Sequence, residues 1–458
     1  MTDPSDFPSH IFKAYDIRGI YPIELNETLA YKIGRAFTQL LQQEEQTINL
    51  NLVVSSDMRL SSPALKQEII RGITDQGANV IDIGLASTPT FYFAVADGNY
   101  DGGLIVSASH NPKEYNGCKM VRKKAIPISN ETGIYTIRDL AEQNKFTTQQ
   151  KGTITKKEGV IKDQITHDLK HLNPEKIKPF RIVADPANSM GAQYLDAFFN
   201  HIPGALIKIN FELDGTFPAH QADPLKEENL AQLQQKVLEE HADLGITTDG
   251  DGDRVFFVDE KGESIPSHIL RGLLAKIFLK TNPGATICYD IRPGRITRDM
   301  ILEYGGKPIV TRVGHSLIKE KMRQVNAVFA GESSGHYFLR FDHGSYEAPI
   351  VMIGKILEEL SKTETTFSDL VKPYKKYIHS GEINSKVEDK DKTIETILNA
   401  HQDAKTIDQL DGITIEYDDY WFNIRPSNTE PLLRLNLEAK TVEKMEQEKN
   451  RILAMIRS

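Results

Sequence analysis

The chain has 458 residues, 39% hydrophobic and 26% charged, a balance ordinary for a globular protein and a length too great for one compact core, so several domains are expected. A formal net charge of -9 and a pI near 5.9 offer no global attraction to nucleic acid or to an anionic membrane surface, so a small anionic substrate would need a locally basic pocket. No stretch approaches the roughly 20 apolar residues of a membrane span; the opening Met-Thr-Asp-Pro-Ser-Asp lacks the features of an export signal, and Cys118 and Cys288 form no paired motif, so a reduced, cytoplasmic protein is expected.

In chain order, Leu52-Val53-Val54-Ser55-Ser56-Asp57 predicts a buried strand ending on an aspartate, followed by a helix over Pro63 to Gly77 and a second strand at Asn79 to Ile83. Leu104-Ile105-Val106 then runs into a polar loop, Ser107 to Pro112. The layout recurs: Arg181 to Asp185, a helix over Gly191 to Asn200, Ala205 to Ile209, and Leu244-Gly245-Ile246 leading into Thr247 to Arg254. It recurs again with Thr286 to Asp290, Pro308 to Arg312, and Ala327 to Ala330 leading into Gly331 to His336. Strands alternating with helices mean α/β units, and three such units marked by Asp57, Asp185 and Asp290 predict three similar mixed-sheet domains in series. In open α/β sheets ligands sit beyond the carboxyl ends of the strands, so the three polar loops can face one cleft. After about residue 360 the chain turns polar, and Trp421 to Ile424 and Leu432 to Leu435 read as two strands of a smaller C-terminal α+β domain. The expected divisions are residues 1–155, 156–259, 260–370 and 371–458.

Four loops carry chemistry. Ser107-Ala108-Ser109-His110-Asn111-Pro112 places a serine and a histidine on a turn after a buried strand, with Lys119 close behind; taken alone, a helix-capping turn is the plainer reading. The hydroxyl of Ser109 needs an adjacent base or an electrophile to act as a nucleophile, and His110 and Lys119 are the available groups. Thr248-Asp249-Gly250-Asp251-Gly252-Asp253-Arg254 spaces three carboxylates with glycines, an all-oxygen ligand set suited to Mg²⁺. An EF-hand needs glycine at its sixth position, where Arg254 stands, and Val255 to Val258 read as a strand. Gly331-Glu332-Ser333-Ser334-Gly335-His336 matches a nucleophile elbow in form, but a strand rather than a helix is expected after it, which leaves Glu332 and Ser334 as partners for sugar hydroxyls. Arg425-Pro426-Ser427-Asn428-Thr429-Glu430-Pro431 can surround a phosphate with a guanidinium, hydroxyls, an amide and backbone N–H groups, though an ordinary turn has the same composition. Arg18, Arg292 and His315, isolated in loops, could add to a second anion subsite.

Taken together and in this order, the four loops resemble the α-D-phosphohexomutase family, in particular its bacterial phosphomannomutase/phosphoglucomutase branch, over nearly the whole chain. The resemblance implies three α/β domains and a smaller C-terminal domain around a deep central cleft. It implies a phosphoserine at Ser109, with Asp249, Asp251, Asp253 and the Ser109 phosphate holding Mg²⁺, and catalytic roles for His110, Lys119 and Arg254. It implies sugar-phosphate binding by Tyr15, Arg18, Arg292, His315, Glu332, Ser334, Arg425, Ser427, Asn428 and Thr429. The reaction implied interconverts hexose 1-phosphate and hexose 6-phosphate through a 1,6-bisphosphate, which also serves as activator. Arg292 stands where relatives carry lysine, which keeps charge but not donor geometry. Ser333, at the variable position of the sugar loop, fits neither the glucosamine nor the mannose/glucose pattern, whereas Asn428 and Phe217 to Pro224 look closer to the latter. Phosphoglucosamine mutase is the alternative substrate reading; a phosphoserine-dependent phosphatase and a non-catalytic sugar-phosphate-binding protein are the alternatives in kind. Whether His110 or Lys119 is the base, and the oligomeric state, are left open.

Overall fold

The strand and helix pattern is realised in a computed structural model that describes residues 7–147, 150–292, 294–426 and 432–457. The chain forms two compact units, Met1–Ile265 with Ser334–Ser368, and Pro266–Ser333 with Asp369–Ser458.

In the first unit, strand Asn51–Ser56 lies between Gly102–Val106 and Asn79–Leu85 and runs parallel to both. Tyr115–Arg122 runs antiparallel between Gly102–Val106 and Ile17–Ile20. Leu52 to Ser56 are buried without a break, as the central strand of a sheet covered on both faces requires. Ile33, Phe37, Leu52, Val54, Ile69, Leu104 and Val106 join one core from the strands and the helices Glu27–Glu45 and Ser62–Asp75. The Asn26 side chain accepts from Leu29 N at 3.0 Å and so starts the first of these helices. A second sheet repeats the plan: Leu244–Thr248 is parallel to Phe180–Asp185 and antiparallel to Val255–Asp259. Each sheet therefore turns from a parallel strand, through a polar loop, into an antiparallel one. Loops 107–114 and 249–254 are the same topological feature in successive sheets.

In the second unit, Thr286–Asp290 is parallel to both Lys307–Thr311 and Phe329–Gly331. The chain then passes at Ser334 into the first unit, where Tyr337–Phe341 and Gly344–Glu347 form an antiparallel hairpin. The third α/β segment thus contributes to both units. The last segment is a six-stranded antiparallel sheet, in which Tyr420–Pro426 pairs with Leu432–Ala439, packed with helices Lys390–Ala400 and Val442–Ile456. Buried Glu438 of this sheet accepts from Trp421 Nε1 at 2.7 Å and from Arg295 N at 3.2 Å, capping helix Arg295–Glu303 where the helix dipole favours a carboxylate.

The architecture is three mixed α/β sheets in series, as the repeat predicts, followed by the antiparallel sheet of the C-terminal α+β segment. Val255–Asp259 and Tyr337–Phe341 are strands, which removes the EF-hand and the nucleophile elbow on structural grounds. Among the described residues no helix is long and apolar enough to cross a membrane, and both cysteines are buried and free.

Candidate active site

The repeat explains why aspartates end the first strand of each unit. Asp57, Asp185 and Asp290 are buried at the strand ends: Asp57 accepts from Arg59 N at 3.1 Å and Asp185 from Ala187 N at 2.9 Å, each holding the turn that follows it, whereas Asp290 accepts from Ser333 N at 3.2 Å, in the loop after strand Phe329–Gly331.

In the first unit, Ser109 follows strand Gly102–Val106 in the left-handed region, with φ of 50°. That conformation is costly for a residue with a Cβ and persists only where the surroundings over-determine it. Ser109 is buried, its N–H donates to Ser107 Oγ at 3.1 Å, and its Oγ donates to Asp249 Oδ2 at 2.6 Å. His110 Nδ1 lies 3.2 Å from the same Oγ. Gly250 permits this approach, since a Cβ there would stand 2.2 Å from the Ser109 carbonyl oxygen. Lys119 Nζ bridges Asp251 Oδ2 at 2.5 Å and Asp253 Oδ2 at 2.6 Å, and Thr88 Oγ1 donates to Asp251 at 2.6 Å. Arg254 N donates to Asp249 Oδ1 at 3.2 Å, and Arg18 donates to Ala108 O at 2.9 Å and to the Asn111 side chain. Tyr15 is half-buried in the bend preceding strand Ile17–Ile20.

Charge in this pocket is severely constrained. Burial, then the neighbouring Asp251 and Asp253, push the Asp249 carboxyl up to about 7. Burial alone would lower Lys119, but Asp251 and Asp253 hold its ammonium well above the usual range; the charge of Arg254, then burial, hold His110 well below it. The three aspartates are at most 1% exposed and can bring one oxygen each within 4.8 Å of one another, and Asp251 Oδ1 has no hydrogen-bond partner among the described residues. Three mutually repelling buried carboxylates, one with an orphaned oxygen, fit a divalent cation with oxygen preference.

His336, two residues past Ser334, belongs to this site and is not among the residues the sequence singles out. Its Nε2 lies 3.1 Å from Asp253 Oδ1 and its Nδ1 is 2.9 Å from Ser334 Oγ. The sequence signal for it is its place at the end of the Gly331–His336 loop. Ser334 therefore touches the histidine.

The second unit gathers the other basic and polar residues. Arg292 Nε donates to Asp290 at 2.6 Å, and Ser333 Oγ donates to the same carboxylate at 3.1 Å, so the hydroxyl at the loop's variable position is tied inward. Buried Glu332 accepts from Gly314 N at 2.9 Å, next to His315, which opens helix His315–Val325. Arg425 donates to Glu382 Oε2 at 2.6 Å; Ser427, Asn428 and Thr429 lie outside the described residues. Arg434 stands directly across the ladder from Arg425 and also reaches Glu382, at 3.3 Å, while Asn436 donates to it at 3.2 Å. Glu382 was not legible in the sequence, because its partners are 43 to 54 residues away.

Family models describing phosphoglucomutase/phosphomannomutase match the chain in four consecutive pieces: alpha/beta/alpha domain I over residues 9–148, domain II over 162–262, domain III over 266–377 and the C-terminal domain over 382–455. A phosphomannomutase of Vibrio cholerae is 40% identical over 438 residues, spanning 94% of this chain and 94% of that protein. One from Methanocaldococcus jannaschii is 40% identical over 449 residues, spanning 96% and 97%. The crystal structure of a phosphoglucomutase/phosphomannomutase family protein from Burkholderia thailandensis superposes with a TM-score of 0.89 at 29% identity, covering 98% of this chain and 97% of that one.

Proposed function

Because the chain belongs to the phosphoglucomutase/phosphomannomutase family, we propose that it interconverts the 1- and 6-phosphates of mannose, and of glucose, through a phosphoserine at Ser109. The observation that carries this reading is the Ser109 hydroxyl, held in a left-handed turn 2.6 Å from the first of three buried aspartates.

Phospho-Ser109 donates its phosphoryl group to the free hydroxyl of the bound hexose phosphate. The resulting 1,6-bisphosphate turns over and returns its other phosphate to Ser109; added hexose 1,6-bisphosphate would load the serine and so act as activator. Asp249, Asp251 and Asp253, with a phosphate oxygen on Ser109, would hold Mg²⁺, which supplies neutralising charge to the transferring group. The chain's own residues supply the rest. His110, whose ring nitrogen is 3.2 Å from Ser109 Oγ, is placed to carry the hydroxyl proton, whereas Lys119 is engaged by two aspartates. Arg18 and Arg254 add fixed positive charge beside the loop, and Tyr15 contributes to binding the substrate. Glu332 and Ser334 bind sugar hydroxyls. Arg292, His315, Arg425, Ser427, Asn428 and Thr429 bind the distal phosphate. On this reading residues 1–155 carry the phosphoserine loop, 156–259 the metal loop, 260–370 the sugar loop and 371–458 the phosphate loop, and the two buried free thiols suit a reducing cytoplasm.

The test incubates the protein with Mg²⁺, a trace of glucose 1,6-bisphosphate and, separately, the 1-phosphates of mannose, glucose and glucosamine, following 6-phosphate formation beside a Ser109→Ala control. Ser109-dependent conversion of mannose and glucose phosphates is expected. Preference for glucosamine phosphate would reassign the substrate, and release of inorganic phosphate would replace the mutase by a phosphatase.

A further inference from the structure

Arg59 is 1% exposed and follows closely on strand Asn51–Ser56. A buried arginine needs partners for five N–H donors, and the partners it has taken are unusual. Nη2 donates to the carbonyls of Ser109 at 2.8 Å and Asn111 at 2.6 Å; Nη1 donates to those of Pro112 at 2.7 Å and Tyr115 at 3.0 Å. Its Nε lies 3.3 Å from Asp57 Oδ2. Every Nη proton is thus spent on the backbone of the loop that bears Ser109 and of the first residue of the strand after it. The open face of the guanidinium is covered by the ring of Phe217, 5.0 Å away, from the glycine-containing loop 214–223 of the next α/β segment. That loop comes close because Gly215 has no side chain: a Cβ there would stand 2.6 Å from Met58 O and 2.7 Å from Arg59 Cα. The same loop reaches the phosphoserine turn again through Gln221 Nε2, which donates to His110 O at 2.9 Å.

We propose that Arg59, roofed by Phe217, is the positioning residue that holds the Ser109 loop in its left-handed form with Oγ aimed at the aspartates. The inference rests on the phosphoserine reading above. A serine at φ of 50° would relax if its carbonyl, and those of the next residues, lost their common donor. Relaxation would move the reacting oxygen, whereas the residues proposed to bind sugar and phosphate make no hydrogen bond to Arg59 among those described.

The experiment compares Arg59→Met, Arg59→Lys and Phe217→Ala with the wild-type chain. It records thermal midpoint, phosphate on Ser109 by intact mass after glucose 1,6-bisphosphate treatment, and kcat and KM separately. The expected result is a folded Arg59→Met whose kcat falls about 100-fold, the scale of a misplacement near 1 Å, with KM within about twofold. Arg59→Lys should recover roughly a tenth of the lost rate or more, since an ammonium can reach some of the four carbonyls. Phe217→Ala retains every hydrogen bond of Arg59 and should lower kcat about 10-fold, so it carries the test if Arg59→Met does not fold. Folded Arg59→Lys and Phe217→Ala variants with wild-type kcat, even at a lowered thermal midpoint, would reduce Arg59 to a packing role and overturn the inference. Wild-type chain that turns over without phosphate on Ser109 would instead overturn the phosphoserine reading itself, and the inference with it.

Discussion

Replacement of Glu382 by alanine should both weaken the last sheet and impair phosphate binding. Arg425 and Arg434 face each other directly on adjacent strands, a like-charge pair that destabilises a sheet unless something stands between them. Glu382 does so, with its side chain 28% exposed and Arg425's 10%. The 2.6 Å charge-assisted bond to Arg425 contributes about 2 kcal/mol. The longer contacts to Arg434 and Asn436, nearer solvent, add about 0.5 kcal/mol between them. With a urea slope of about 2 kcal/mol/M, the sum near 2.5 kcal/mol becomes a shift of about 1 M in the unfolding midpoint. The chain's one tryptophan, Trp421, lies in this sheet and reports its unfolding by fluorescence. Burial would raise the Glu382 carboxyl, but the charge and hydrogen bond of Arg425 bring it below the ordinary range. Its stabilisation is therefore present above the unfolded carboxylate value of about 4.3 and is lost as pH falls through the lower folded value, so wild type and variant should converge in acid. KM for hexose phosphate should rise as Arg425 loses its anchor, with kcat less affected. Midpoints within about 0.2 M at neutral pH, or an unchanged KM, would refute this account.

Gly250→Ala drives a methyl to 2.2 Å from the Ser109 carbonyl and must push the metal loop away from the serine, so kcat should fall at least about 10-fold in an otherwise folded protein, as steady-state kinetics will show. Asp251→Asn removes the carboxylate with the orphaned oxygen; loss of a direct ligand should weaken Mg²⁺ or Mn²⁺ binding at least about 100-fold by calorimetry. His220 titrates the packing of loop 214–223: burial would lower its imidazole, but Asp185, 3.0 Å away, holds it above the usual range. Its contribution is complete below the unfolded value of about 6.5 and lost as pH rises through the folded one, so thermal midpoints of wild type should decline more steeply across that window than those of His220→Gln.

Strand and helix positions were legible because burial on both faces demands continuous apolar runs: Leu52 to Ser56 and Leu244 to Thr248 are strands where those runs lie. The Asp-Gly-Asp-Gly-Asp loop and the Ser-His turn were legible because ligand type and spacing are local properties of the chain. What tertiary structure alone decided is which charges meet. Lys119 bridges aspartates 132 and 134 residues away, Arg59 spends its donors on carbonyls 50 to 56 residues on, and His336 joins Asp253 from a later strand. Ser333 stood out in sequence only as the variable residue between Glu332 and Ser334, and the fold turns its hydroxyl inward to Asp290. The physical reason is the same in each case: a buried charge or donor must find its partner wherever the fold places one, and sequence distance puts no limit on that search.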